Sequence, residues 1–341
     1  MNGGLGNQLY QYVFARWLEE TLHEPVIIND MVFSMLESRV EANKNRQDAS
    51  PDLYGIHNGY EIDYVFPYSK KLLFMSNYFD QDVWEYLVKK AGISRGGVEV
   101  VAQAILDSGI DLTMMIEVAS DHLRAYTGKK YYTPSNSYNS DMARIPGSVY
   151  YHGNWINQGW FNAYREIFLE ELTFRSMLDE RNLEYERLIR ESFAVGVHVR
   201  RGDFVRLKRN VSEDTYRNTI TELREKIPDD ARFFVFSNEM SWCKENLESL
   251  GLREDETVFV EGNFDYRNNY IDMQLMSVCN VLVAAGNSTF SYFASILNKE
   301  PDFYVLQSRG SSTRDIAVMN DPQAMRNLQA NLEHMTKTNE K

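Results

Sequence analysis

The chain has 341 residues, 43% hydrophobic and 25% charged, with a formal net charge of −13. That length exceeds what one core usually encloses and suits two domains, and the acidic balance argues against a nucleic-acid partner, which wants a basic face. No apolar run reaches the roughly 20 residues of a spanning helix and no signal peptide is evident. The two cysteines, Cys243 and Cys279, lack metal-ligand spacing and fall in apolar helical patterns. The expectation is a cytoplasmic protein with buried free thiols and no transmembrane segment.

Met1-Asn2-Gly3-Gly4-Leu5-Gly6-Asn7-Gln8 is a glycine-rich loop opening a helix to about Leu22, with Leu9, Val13 and Trp17 on one stripe and Tyr12 and Arg16 beside it. Such a loop lets backbone N–H groups approach an anion, although a glycine pattern alone also fits a flexible terminus. Such a loop usually follows a strand; the expectation is either that the chain begins abruptly or that one upstream strand is missing from the sequence. Pro25 to Asn29 reads as a strand ending at Asp30, residues 37–50 as irregular, and the aromatic pieces at 60–68 and 72–79 stay unassigned. A helix is expected over 80–91, and a helix or a strand over 98–106.

From Val149 to Phe161, aromatic residues alternate with amides and glycines, including His152, Asn154 and Trp155. Aromatic walls with a few polar groups suit a sugar; the same residues can equally fill a core, with Tyr and Trp using their polar tips. Residues 161–190 read as a helical bridge between two domains.

Beyond that the order becomes regular. Strands are expected at 195–199, 232–237, 257–260, 281–284 and 303–306, with helices at 214–226, 241–250, 270–279 and 289–297 between the later ones. Alternating short apolar strands and helices imply a parallel sheet with right-handed crossovers. In the first strand Val195, Val197 and Val199 share one face and His198 and Arg200 the other. The strand ends in Arg200-Arg201-Gly202-Asp203, which puts fixed positive charge at the carboxyl edge, where open α/β sheets bind ligands. His198, Arg200, Ser237 and Ser288 are all brought to that edge. Gly286-Asn287-Ser288-Thr289 opens the last helix and can hold a phosphate through amides and hydroxyls. Asp272 could accept paired hydrogen bonds from a guanine edge, or be a first-turn aspartate favoured by the helix dipole.

These stretches, with Tyr151 to Trp155, Asp272 to Ser277 and Asn287-Ser288-Thr289-Phe290-Ser291, resemble the bacterial α-1,2-fucosyltransferases of glycosyltransferase family 11 over nearly the whole chain. The resemblance implies an α/β, GT-B-type fold, with two Rossmann-like domains facing a cleft. The boundaries expected are an acceptor-side domain at 1–160, a bridge at 161–190, a GDP-sugar domain at 191–320 and a tail at 321–341. It implies inverting transfer of L-fucose from GDP-β-L-fucose to O2 of a terminal galactose, on an oligosaccharide or lipid-linked glycan, with no metal and no cofactor. A lipid-linked acceptor would bring the protein to the inner membrane face.

By the same resemblance, Arg200 holds the β-phosphate of the leaving GDP, and Arg201 and Asp203 support that loop. His198 and Asp272 lie near the guanosine. Asn287, Ser288, Thr289 and Phe290 line the donor pocket, and Asn7 with the loop before it, Gly4 and Gly6 included, closes over it from the other domain. Gln8 and, from its place at the strand edge, Ser237 are counted with the substrate-binding residues. His152, Asn154 and Trp155 lie on the acceptor side. Asp203 and His152 are the two candidates for the base. Another GDP-sugar as donor stays open, because the arginine loop reads the diphosphate and not the sugar, as does a non-catalytic nucleotide- or glycan-binding protein. Tyr292-Phe293-Ala294-Ser295 departs from the family pattern.

Overall fold

The computed structural model describes residues 1, 3–34, 59–93, 116–120, 129–133, 138–145, 149–206, 208–263, 268–285, 288–298 and 304–308. The expectations for residues 37–50, 98–106 and 321–341 lie outside the described residues. The chain divides into two compact units, Met1–Thr173 and Phe174–Lys341. The division falls inside the expected 161–190 bridge, between helices Arg165–Glu171 and Glu180–Arg190.

The first unit contains α1 (Leu5–Leu22), β1 (Ile27–Ile28), α2 (Ile62–Val65), β2 (Leu73–Phe74), α3 (Gln81–Ile93), β3 (Ile116–Ser120), β4 (Lys129–Thr133), β5 (Val149–His152), α4 (Gln158–Ala163) and α5 (Arg165–Glu171). All its strand pairs are parallel: β1 with β2, and a sheet in the order β4-β3-β5. Strand β1 is shorter than the sequence suggested because its flanking backbone groups are used elsewhere. The Val26 N–H donates to Glu19 Oε1 at 3.1 Å, and the Asn29 carbonyl accepts from the Met1 amine.

Helix α1 is the spine of this unit. Instead of one apolar stripe, nearly its whole circumference is buried from Leu5 to Glu19. Phe14 stacks on Trp155 at 4.1 Å between ring centroids, and Trp17 lies 4.6 Å from Trp160. Arg16 is buried too, and it is paired on every side. It meets Glu19 at 2.7 Å, Glu20 at 2.6 Å and Glu171 of α5 at 2.7 Å. A buried guanidinium is tolerated only when its charge and its donors are both matched.

The second unit contains α6 (Glu180–Arg190), β6 (Ala194–Val199), α7 (Asp203–Arg206), α8 (Glu213–Arg224), β7 (Arg232–Ser237), α9 (Met240–Glu245), β8 (Thr257–Phe259), α10 (Asn269–Met276), β9 (Val281–Ala285), α11 (Thr289–Leu297) and β10 (Tyr304–Ser308). The five strands form one parallel sheet in the order β10-β9-β6-β7-β8. Both faces of its centre are covered, so β6 reads as an unbroken buried run. On one face Val195, Val197, Val199, Phe233, Val235 and Val283 pack with Tyr216, Ile220 and Leu223 of α8. On the other, Gly196 makes room for its neighbours: a Cβ there would sit 3.1 Å from Cys279 Sγ. Helix α8 is capped by Ser212, whose hydroxyl accepts from Thr215 N, with Glu213 and Asp214 in its first turn. The helix expected over 241–250 ends at Glu245; a separate 3-10 turn at Glu248–Leu250 follows and closes on Gly251, at φ +82°.

Candidate active site

Chain order runs outward from β6 through β7 to β8, then returns to β9 and β10 on the other side of β6. The switch point therefore lies between the carboxyl ends of β6 and β9, where such sheets leave a crevice for ligand. Five expected residues gather there. His198 and Arg200 come from β6 and its turn, and Ser288, Thr289 and Phe290 from the start of α11. His198 lies 6.1 Å from Phe290, ring to ring.

His198 is 6% exposed. Its Nδ1 is buried and makes no hydrogen bond among the described residues. Burial first, and the nearby Arg200 charge second, push its pKa down to about 3. The imidazole is therefore neutral near pH 7, and its buried nitrogen suits a ligand hydrogen bond. Ser288 is buried at the N-cap of α11 and its side chain makes no capping bond.

The two adjacent arginines have different surroundings. The Arg200 guanidinium lies over the Phe204 ring at 5.1 Å, and the residue is half-buried. The Arg201 guanidinium lies 3.4 Å above the Trp242 ring, and its Nε donates to Glu239 Oε2 at 3.0 Å. Arg201 is thus committed to contacts within the protein.

Ser237 uses its hydroxyl within the protein. Its hydroxyl donates to the Val199 carbonyl at 2.8 Å and accepts from Glu239 N at 3.0 Å, tying the ends of β6 and β7 together. The residues after it, Asn238 and Glu239, carry the loop contacts; sequence reasoning missed them because nothing in a polar pair after a strand tells which loop it will meet.

Asp272 lies in the first turn of α10, which leaves β8 on the carboxyl edge of the same sheet. Its Oδ1 accepts from Asn263 Nδ2 at 2.8 Å. Asn263 in turn exchanges two bonds with Asn182, each 2.9 Å. Burial pushes the Asp272 carboxyl up to about 7, opposed by the Asn263 bond and the Arg181 charge. Asn263 and Asn182, both fully buried, were not singled out from the sequence.

In the first unit, Gly4 stands at the N-cap of α1 and Gly6 is buried in its first turn. Gly3 has φ +83°, and a Cβ there would clash with Asn7 at 2.7 Å. Gln8 is corrected to a framework residue. It is fully buried; its Nε2 donates to the Gly3 and Gly59 carbonyls at 2.9 and 2.7 Å, and its Oε1 accepts from Glu61 N at 2.9 Å. Trp155 is also corrected: at 4% exposure, with one face against Phe14, it is core and offers no stacking surface for a sugar. Asn154 is exposed. Asn287 lies outside the described residues, as do the side chains of Asp203 and His152.

The family model for glycosyl transferase family 11 matches residues 103–319. The chain belongs to glycosyl transferase family 11. The matched stretch takes in the β6 turn, the Asp272 helix and the start of α11, and begins after the glycine loop. An alpha-1,2-colitosyltransferase of Escherichia coli is 28% identical over 302 residues, 86% of this chain and 85% of that protein. Galactoside alpha-(1,2)-fucosyltransferase 2 of Oryctolagus cuniculus is 26% identical over 197 residues, 49% of this chain and 54% of that protein. Among solved structures, NodZ alpha-1,6-fucosyltransferase soaked with GDP-fucose aligns with a TM-score of 0.44 at 14% identity, over 87% of this chain and 90% of that one. Apo POFUT1 aligns at 0.38 and 13% identity, over 90% and 95%. As a family member this chain is a glycosyltransferase of α/β fold, and among the described residues no helix is long and apolar enough to cross a membrane.

Proposed function

We propose that the protein transfers L-fucose from GDP-β-L-fucose to O2 of a terminal galactose, with inversion and without a metal. The observation that carries this reading is the meeting of Arg200, the neutral His198 and the start of α11 at the switch point between β6 and β9. In the transfer, the acceptor O2 attacks C1 of the sugar as the bond from C1 to the β-phosphate oxygen breaks. Negative charge then grows on the departing diphosphate. A fixed guanidinium and the amide-rich start of α11 are suited to receive it. His198, being neutral, adds a hydrogen bond and no charge. Asp272 takes the guanine edge, which offers paired donors to a carboxylate. The O2 proton passes to Asp203 or His152, or to the departing diphosphate itself.

Removing a group that stabilises a developing anion costs about 3–4 kcal/mol of barrier, a hundredfold to a thousandfold in rate. Transfer from GDP-fucose to lactose should therefore persist in EDTA and fall at least about a hundredfold in Arg200→Ala. Loss of transfer in EDTA, or a near-normal rate in the variant, sinks the reading.

A colitosyl donor is a second reading. It is favoured by the extent of likeness to the E. coli enzyme, 85% of whose length is matched, against 54% for the rabbit fucosyltransferase. Rates with the two sugar nucleotides at equal concentration decide between them.

A further inference from the structure

Arg200 is one residue in a turn, and its usefulness to an anion depends on where that turn is held. The backbone on both sides of it is fixed by side chains from the end of β7 and the loop after it. The Val199 carbonyl accepts from Ser237 Oγ at 2.8 Å. The Arg201 N–H donates to Asn238 Oδ1 at 2.9 Å. The Gly202 N–H donates to Glu239 Oε1 at 3.0 Å. Glu239 uses its other oxygen on Arg201 Nε, also at 3.0 Å. Arg201 is further held by the Trp242 face at 3.4 Å and by Glu213 at 3.8 Å. Gly202 has φ +59°, and a Cβ there would lie 2.5 Å from Asn238 Nδ2, so the close approach of the two loops needs glycine.

We propose that Glu239 is a positioning residue for Arg200. One carboxylate binds a backbone N–H and the guanidinium of the neighbouring arginine, fixing the turn and keeping Arg201 away from the ligand anion. The diphosphate then meets one arginine in one place. A charged group held before the ligand arrives costs no reorganisation on binding or in the transition state. The proposal rests on the reading of Arg200 as the β-phosphate contact.

The test separates the two claims by comparing GDP with GMP, which differ by the β-phosphate. Affinities of both are measured by calorimetry for the unaltered protein, Arg200→Ala, Glu239→Gln and the double variant. Glu239→Gln keeps an acceptor for Gly202 N–H and sets an amide donor against the Arg201 donor. The Glu239 side chain is 39% exposed, so the change is mild for the fold. The expected result is a loss of about tenfold in GDP affinity, the size of one charge-assisted hydrogen bond. GMP affinity should stay within about twofold, and the Glu239→Gln effect should vanish when Arg200 is already alanine, as coupled residues require. Asn238→Ala, which releases Arg201 N–H by another route, should lower the same GDP-to-GMP ratio.

If the unaltered protein does not prefer GDP, or Arg200→Ala keeps the preference, the reading of Arg200 fails and takes the proposal with it. If Arg200→Ala loses the preference while Glu239→Gln keeps it, the positioning role alone fails. Equal weakening of GDP and GMP assigns Glu239 a general structural part. Tighter GDP binding in Glu239→Gln makes Arg201 a ligand contact held back by Glu239. Either result overturns the proposal.

Discussion

Asp272 carries a carboxyl that burial raises from its ordinary value to about 7. Between the unfolded and folded values the native state holds the extra proton, so stability from this group is complete below about pH 4 and lost as pH rises through about 7. Asp272→Asn mimics the neutral acid. The unaltered protein should therefore match the variant in melting temperature only below about pH 4, fall progressively below it from there to about pH 7, and stay below it at pH 8; parallel profiles would rule out the raised carboxyl. If Asp272 also meets a guanine edge, the paired donors there favour its ionised form. Binding of GDP near pH 6.5 should then release a proton, seen as a dependence of the calorimetric enthalpy on buffer ionisation, and Asp272→Asn should abolish that release.

At this scale the sequence showed which residues would share one edge of the sheet, and not how their polar groups would be used. Arg200, His198 and Ser288 come together because one strand end and one helix start must face the same edge. Ser237 and Gln8 are as polar and as well placed in the chain, yet their hydrogen-bonding groups are used to join backbone segments, at Val199 and Glu239 in one case and at Gly3, Gly59 and Glu61 in the other. Which polar residue serves a ligand depends on whether the backbone around it leaves orphaned donors and acceptors, and that is a property of the folded loops.

Helix α1 shows the same limit for an element. Its apolar spacing marks a helix, but a single stripe leaves Arg16 at the margin, while in the fold the residue is 2% exposed. What buries it is Glu171, brought from α5: Arg16 Nε and Nη2 both bond that carboxylate, and Tyr12 OH donates to it at 2.7 Å. Burial and the Glu171 charge together push the Tyr12 hydroxyl well above its usual range. Arg16→Met keeps much of the volume and leaves Glu19 and Glu171 facing each other in the interior. Breaking a buried ion pair in this way costs about 3–5 kcal/mol, so a marked fall in the urea midpoint is expected. A midpoint within experimental error of the unaltered protein would show the network to be replaceable by packing. The strands of the second unit were legible because each is a short apolar run between turn residues. In the first unit β1 was legible but read too long, and β2 was not read at all, since a two-residue strand leaves no alternation to read.

At the scale of the molecule, the sequence implied alternating strands and helices but not the return from β8 to β9, and it is that return which makes a switch point. The charge tells little here as well: a net of −13 does not decide whether an anion is bound, because the proposed anion site needs only local cations and helix dipoles. Each unit encloses its own core, α1 with its aromatic cluster in one and the five-stranded sheet in the other. A ligand stabilises what it binds, by about 2.7 kcal/mol at a hundred times its dissociation constant. If, as proposed, the donor is held by Arg200, His198 and the start of α11, all in the second unit, saturating GDP should raise the calorimetric transition that belongs to that unit. The transition lowered by Arg16→Met, which belongs to the first, should stay where it was. A single transition that moves as a whole under both treatments would mean that the two cores unfold as one, and that donor binding reports on the entire chain.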